Sequence, residues 1–196
     1  MNRLLLATRN EHKRRELARV LPGWQVDALP EEVQLPPEDG ETFAENALGK
    51  ARAAAQATGR TSIADDSGIE ATALGGRPGV RSARYAGEDA SDEQNLAKLR
   101  LKAPVGSALQ YVCALAYVNP ETGEERVFEG RCAGTLAPER SGERGFGYDP
   151  VFLPDDWDEI PPTLTMAQLS DEQKDAISHR GRAARALLAW LPATAG

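Results

Sequence analysis

The chain has 196 residues, enough for one well-buried domain with room for two lobes, and its 23 Lys and Arg against 30 Asp and Glu give a formal charge of −7. Such a molecule repels nucleic acid and anionic membrane, so any polyanion it handles must be small and must meet a local positive cluster. Leu4 to Leu6 are too short a run for a secretory signal and no apolar stretch is long enough to span a bilayer, so a cytoplasmic enzyme is the expectation.

Residues 3–8 read as a strand, 11–21 as a helix with Leu17, Val20 and Leu21 facing inward, and 24–29 as a second short strand. The stretch 30–41 is proline-rich and acidic, hence a loop. Thr42 and Glu45 have capping-box spacing and open a helix through Thr58. Residues 61–68 form a strand running into a turn, and 74–90 carry too much glycine for regular structure. Ser91 and Gln94, a second capping box, start a third helix that ends near Arg100. Residues 108–118 and 124–137 are long strands joined by the turn "NPETG" into an antiparallel hairpin. After the loop 139–150 come a short strand at 151–153 and a break at 155–162. Ser170 and Gln173 cap a further helical segment, "SHRG" interrupts it, and 182–191 close the chain. Cys113 and Cys132 fall inside strands without metal spacing and read as buried reduced thiols. Early strand–helix alternation followed by a hairpin predicts an α/β fold with a mixed sheet. With no repeat or linker, 1–196 reads as a single domain in which the hairpin region could form a second lobe.

Five stretches carry chemistry. In "LLLATRNEHKRREL" (4–17) a buried strand breaks at Thr8 into polar residues and a helix starts at once. Backbone amides and the helix dipole favour an anion there, with Thr8 and Asn10 as extra donors and Lys13 as a full charge. The competing reading is that Thr8 or Asn10 only caps the helix and Lys13 is solvated. A phosphate-cradling GxxxxGK[ST] and a dinucleotide GxGxxG are both absent. In "IADDSG" the carboxylates Asp65 and Asp66 at a strand end suit Mg²⁺, a hard ion with oxygen ligands, or activation of a water; an Asx-type turn completed by Ser67 and Gly68 is the plainer alternative. Among the acids Glu38, Asp39, Glu41 and Glu45, Glu45 serves the helix N-terminus and Glu38 is freer to reach a metal. "GFGYDP" (145–150) sets Phe146 and Tyr148 around Gly147, a platform for a purine or a piece of core. "LSDEQKDAISHRG" places Lys174, then His179 and Arg180 at a helix break, where they can donate outward.

In this order and spacing, ATRNEHKRREL, TFAENALGKARAAA, IADDSGIEATALGGRPGVRSARYAG, GFGYDPVF and LSDEQKDAISHRG resemble the inosine triphosphate pyrophosphatase family, whose bacterial members clear non-standard purine nucleotides from the pool. The likeness runs from Leu4 past Arg182. It implies an elongated two-lobed α/β fold with a cleft between the lobes, a homodimer, Mg²⁺ dependence, and cleavage of dITP, ITP or XTP to a monophosphate and pyrophosphate. By motif, Thr8, Arg9, Asn10, Glu11, His12 and Lys13 form the phosphate-side loop. Asp66 is the proton acceptor and a metal ligand with Glu38, Asp65 stands beside it, and Ser67 contacts substrate. Phe146, Gly147, Tyr148, Asp149, Lys174, His179 and Arg180 line the substrate pocket and base site. Donors from His179 or Arg180 would pair with the 6-oxo group of hypoxanthine or xanthine and go unsatisfied by adenine. Competing readings are a related-fold pyrophosphatase for modified pyrimidine nucleotides and a nucleotide-binding regulator without catalysis; the presence of both Asp65 and Asp66 speaks against the regulator.

Overall fold

A computed structural model describes residues 2–155 and 163–191; the expected break at 155–162 lies outside the described residues beyond Asp155. Six strands form one mixed sheet in the order β2-β1-β3-β4-β5-β6. Strand β1 (Asn2–Leu6) is parallel to β2 (Trp24–Ala28), with Leu4 opposite Val26, and parallel to β3 (Ser62–Ala71), with Leu6 opposite Ile63. Leu4, Leu5 and Leu6 are all fully buried, which is why β1 reads as an unbroken apolar run rather than an alternation. β4 (Ala108–Asn119) and β5 (Glu124–Leu136) are neighbours joined through residues 120–123, a link short enough only for an antiparallel hairpin. β6 (Phe152–Pro154) completes the sheet antiparallel to β5.

The helices begin where their capping chemistry stands. Asn10 caps α1 (Glu11–Val20), which buries Leu17. The Thr42–Glu45 capping box opens α2 (Phe43–Thr58), and Gly59, in the left-handed region at φ 66°, closes it. Ala47, Ala51, Ala54 and Ala55 form the buried stripe of α2. Ser91 and Gln94 box α3 (Asp92–Lys102), and Ser170 and Gln173 box α4 (Asp171–Ile177). Ser178 is extended, and the chain turns helical again at once as α5 (His179–Trp190).

One expectation is corrected. Asp65 and Asp66 do not stand at a strand end, because β3 continues through Ser67 and Gly68 to Ala71. Gly68 reads as a turn former but is a packing glycine: a Cβ there would collide with Ser82 Oγ and the Gly79 carbonyl. Ser82 Oγ accepts a hydrogen bond from Ile69 N (2.8 Å) and donates one to Gly79 O (2.6 Å), which ties the 3-10 segment Gly79–Arg84 to the strand. The apolar Ile69 and Ala71 beyond it are fully buried, so burial extends the strand past the polar residues.

The described residues divide into two compact units, 2–66 with 113–130 and 180–191, and 67–112 with 131–155 and 163–179. The first unit has its core in Leu4, Leu6, Leu17, Leu21, Ile63, Leu115, Leu187 and their neighbours. The second is built on Ile69, Leu96, Leu99, Tyr111, Leu136, Tyr148, Phe152 and Leu169. Cys113 and Cys132 are buried thiols, and burial pushes Cys113 up to about 12. Among the described residues no helix is long and apolar enough to cross a membrane.

Candidate active site

The first unit holds two carboxylate–cation networks on adjacent residues of β3. Asp65 is fully buried, and its Oδ2 accepts from Arg180 Nε (3.2 Å) and Nη2 (2.9 Å) and pairs with Lys13 Nζ (3.2 Å). Arg180 Nη1 donates to buried Glu16 on α1. Asp66 faces a different set, as alternation along a strand requires. Its Oδ2 accepts from Asn46 Nδ2 at 2.9 Å, and Lys50 Nζ stands 3.9 Å from its Oδ1. Lys50 Nζ also donates to Glu38 Oε1 and to the Asp65 carbonyl (2.8 Å).

Electrostatics separates the two neighbours. Burial would raise Asp65, but the charges of Lys13, Arg180 and Lys50 overcome it and hold the carboxyl well below the usual range. For Asp66 burial wins: desolvation, aided by the Glu38 charge, raises it despite Lys50, Lys13 and the Asn46 hydrogen bond. Burial also opposes Glu38, yet Lys50 and Lys13 bring it below its ordinary value. Burial penalises the Lys50 ammonium, and Asp65, Glu38 and Asp66 more than compensate, so it stays charged.

The opening turn is more structural than its composition implies. Asn10 Oδ1 accepts from His12 N (2.9 Å) and Lys13 N (3.2 Å), and Thr8 Oγ1 accepts from Asn10 N (3.2 Å), so the turn's own side chains engage these amides. Glu11 pairs with Arg14 at 2.6 Å on the surface. Arg9 spends its guanidinium on the carbonyls of Leu29, Pro30, Glu31 and Val33 (2.8–3.1 Å), clipping down the loop that leads to Glu38.

The second unit gathers the aromatic residues. Asp149, buried, takes three donors: Tyr111 OH on Oδ1 (3.0 Å), and Lys174 Nζ (2.6 Å) and Phe146 N (3.0 Å) on Oδ2. Gly145 must be glycine, with φ 73° and a Cβ position that falls on the Asp149 carboxylate. Gly147, at φ 63°, donates its N–H to Asp92 (2.9 Å), and Tyr148 OH donates to Ser82 O (2.8 Å). Half-buried Phe146 lies under Lys174, with Nζ 5.3 Å from its ring centroid, and His179 stacks on Tyr111 at 4.6 Å with planes 6° apart. Ser67 is half-buried on β3.

These placements group the residues of the opening turn with Glu38, Asp65 and Asp66, and those of the glycine loop with Lys174 and His179. Arg180 pairs its guanidinium with Asp65 and Glu16. Sequence reasoning missed Asn46, Lys50, Glu16 and Tyr111. For Asn46 and Lys50 a signal existed: four residues apart, they interrupt the apolar stripe of α2 on its buried face. Glu16 and Tyr111 gave none, since a charged residue on a charged helix and a tyrosine in a strand are ordinary.

A model described as the Ham1 family matches residues 4–190. A dITP/XTP pyrophosphatase of Photorhabdus laumondii is 45% identical over 97% of this chain and 98% of its own. One from Staphylococcus aureus is 43% identical over 97% of each chain. Among solved structures, the Staphylococcus aureus Ham1 protein superposes with TM-score 0.79 at 41% identity over 96% of this chain and 97% of that one. A HAM1 protein from Coxiella burnetii gives 0.80 at 36% over 95% and 96%.

Proposed function

Because the chain belongs to the Ham1 family, we propose that it hydrolyses non-standard purine nucleoside triphosphates (ITP, dITP, XTP, dXTP) to the monophosphate and pyrophosphate, clearing them from the nucleotide pool. The observation that carries this reading is the different company of two adjacent aspartates: Asp65 is paired with Lys13 and Arg180, whereas Asp66 is bridged to Asn46 beside Lys50 and Glu38, and their pKa values are displaced in opposite directions. Neighbouring carboxyls driven apart in this way mark which one exchanges protons. Water attacks the α-phosphorus and gives its proton to Asp66; the bond to the α–β bridging oxygen breaks and pyrophosphate leaves with that electron pair. Lys13 and Lys50 are the ammonium groups that meet the phosphates, each held by a carboxylate.

The acids fit a hard divalent ion. Glu38 and Asp66 both reach toward the one ammonium of Lys50, so their oxygens address a common cation position. Among the described residues no group of three or more His, Cys, Asp or Glu could cage a metal. Two carboxylates with water and phosphate oxygens completing the shell is the habit of Mg²⁺. Bound there, it would offset the charge of the phosphate oxygens.

In the second unit, Phe146 offers a stacking face, and Lys174 and His179 supply donors for a 6-oxo group, which adenine lacks. The Arg180 guanidinium serves Asp65 and Glu16, so in this reading its charge is assigned to the acids of the first unit. The test is one panel of ITP, dITP, XTP, ATP, GTP and pyrimidine triphosphates with Mg²⁺, identifying both products. Monophosphate plus pyrophosphate from the inosine and xanthosine nucleotides is expected; release of inorganic phosphate, or a pyrimidine preference, overturns the proposal.

A further inference from the structure

We propose that Asn46 is a positioning residue for this reaction, its single amide tying the loop that carries Glu38 to the carboxylate of Asp66. The inference deepens the proposed function and rests on it. Asn46 Oδ1 accepts from Gly40 N at 2.8 Å, two residues beyond Glu38, while its Nδ2 donates to Asp66 Oδ2 at 2.9 Å. Both Asn46 (5% exposed) and Asp66 (4%) are buried, so water is a poor substitute for either bond. The bridge is directional, because it needs an acceptor at one end and a donor at the other, which a carboxylate or an alkyl group cannot supply.

The surroundings fit this task. A Cβ at Gly40 would lie 2.7 Å from Asn46 Oδ1 and 3.0 Å from Glu45 Cβ, so only glycine lets the loop approach the amide. Glu45 Oε2 accepts from Glu41 N (2.8 Å) and Thr42 N (3.1 Å), fixing the next two residues of the same loop. One turn along α2, Lys50 pairs with Glu38 and stands nearest the other oxygen of Asp66, Oδ1. The amide and the ammonium thus take different oxygens of Asp66 while each holds the Glu38 loop, one by its backbone and one by its acid. Asn46 acts through Asp66 and Glu38; its own amide is spent on the bridge.

Two substitutions in the full chain test this. Asn46→Leu keeps the volume and removes both bonds; Gly40→Ala pushes the loop off the amide and leaves Asn46 and Asp66 unaltered. Mn²⁺ binding in the presence of a non-hydrolysable ITP analogue, followed by electron paramagnetic resonance, gives a readout without turnover. Both Mn²⁺ affinity and kcat are expected to fall by about 10–100-fold, as for other residues that orient metal ligands, with KM for ITP close to the parent's. An active parent whose folded Gly40→Ala variant keeps its Mn²⁺ affinity and kcat would overturn the positioning role alone. Losses in kcat and KM that merely follow a lowered melting temperature would overturn it too. A parent that binds Mn²⁺ in an Asn46-dependent way but releases no pyrophosphate would support the positioning role and overturn the proposed function.

Discussion

The first compact unit buries Glu16, Lys50, Asp65, Asp66 and Arg180, whereas among ion pairs the second buries Asp149 with Lys174 amid tyrosines and stacked rings. Burying charge carries a desolvation cost that ion pairing only partly offsets, so five such groups in one small core are not there for stability alone. Fixed, alternating charges suit a multiply charged triphosphate and the proton that its hydrolysis releases. A purine base carries no net charge, and what discriminates it is a flat face with a few fixed donors and acceptors. On the proposed reading, the charges of the first unit serve cleavage and the rings and donors of the second serve base choice.

The largest expected effect is Asp66→Asn. The variant should fold and lose about 10²–10⁴ of its turnover, the usual worth of a positioned general base, measured as pyrophosphate released from ITP. Burial holds Asp66 above its ordinary value, so its contribution to stability is present at low pH and is lost as pH rises through the raised value. In metal-free buffer above about pH 4, the ordinary carboxylate range, the Asn variant should be at least as stable as the parent. Thermal melts across pH would check this, and a variant that fails to fold would move Asp66 from chemistry to architecture.

Arg180→Met comes next. It removes the guanidinium shared by the Glu16 and Asp65 carboxylates, leaving Asp65 to Lys13, in a site where Arg180 itself is 1% exposed, and breaking such a buried pair costs about 3–5 kcal/mol, readable by urea denaturation. Asp65 is depressed, so its stabilisation is present above the ordinary carboxylate range and is lost as pH falls below it, about pH 4. The variant should show a shallower acid slope. Turnover of ITP and ATP should fall together; a loss confined to ITP would return Arg180 to the base side and blur the division.

What the sequence made legible follows from how local each cause is. Capping boxes at Thr42, Ser91 and Ser170 are four-residue chemistry, and all three helices begin there. The apolar run at Leu4 needs only its own composition to be a buried strand. Gly68 misled because glycine serves both turns and close packing, and the choice was made by Ser82, fourteen residues away in sequence. The partners of Arg180 were illegible for a similar reason: its carboxylates lie 115 and 164 residues distant, and no spacing rule links them. Asn10 carried both meanings at once, cap and phosphate-side residue, and only coordinates show its carbonyl oxygen spent on two amides. The family resemblance grouped residues by motif, and the side-chain partners assigned each to a network.

Tyr111→Phe is the smallest change and the finest probe of the comparison. It deletes the hydroxyl that donates to Asp149 Oδ1 and keeps the ring that stacks on His179. Removing one donor from a buried acceptor costs about 1–3 kcal/mol, less than stranding a charge, since Lys174 and Phe146 N still hold the other oxygen. A carboxylate released on one side lets the Phe146 loop and Lys174 drift, which should weaken base recognition. KM for ITP should rise by up to about tenfold, the factor that corresponds to 1.4 kcal/mol, and the ITP preference over ATP should narrow by a similar factor. In the proposed reaction the chemical step belongs to Asp66, so kcat should stay near the parent's in steady-state assays. A collapse of kcat with KM unchanged would mean that Asp149 and its partners serve cleavage as well, and that the two kinds of buried charge perform one task rather than two.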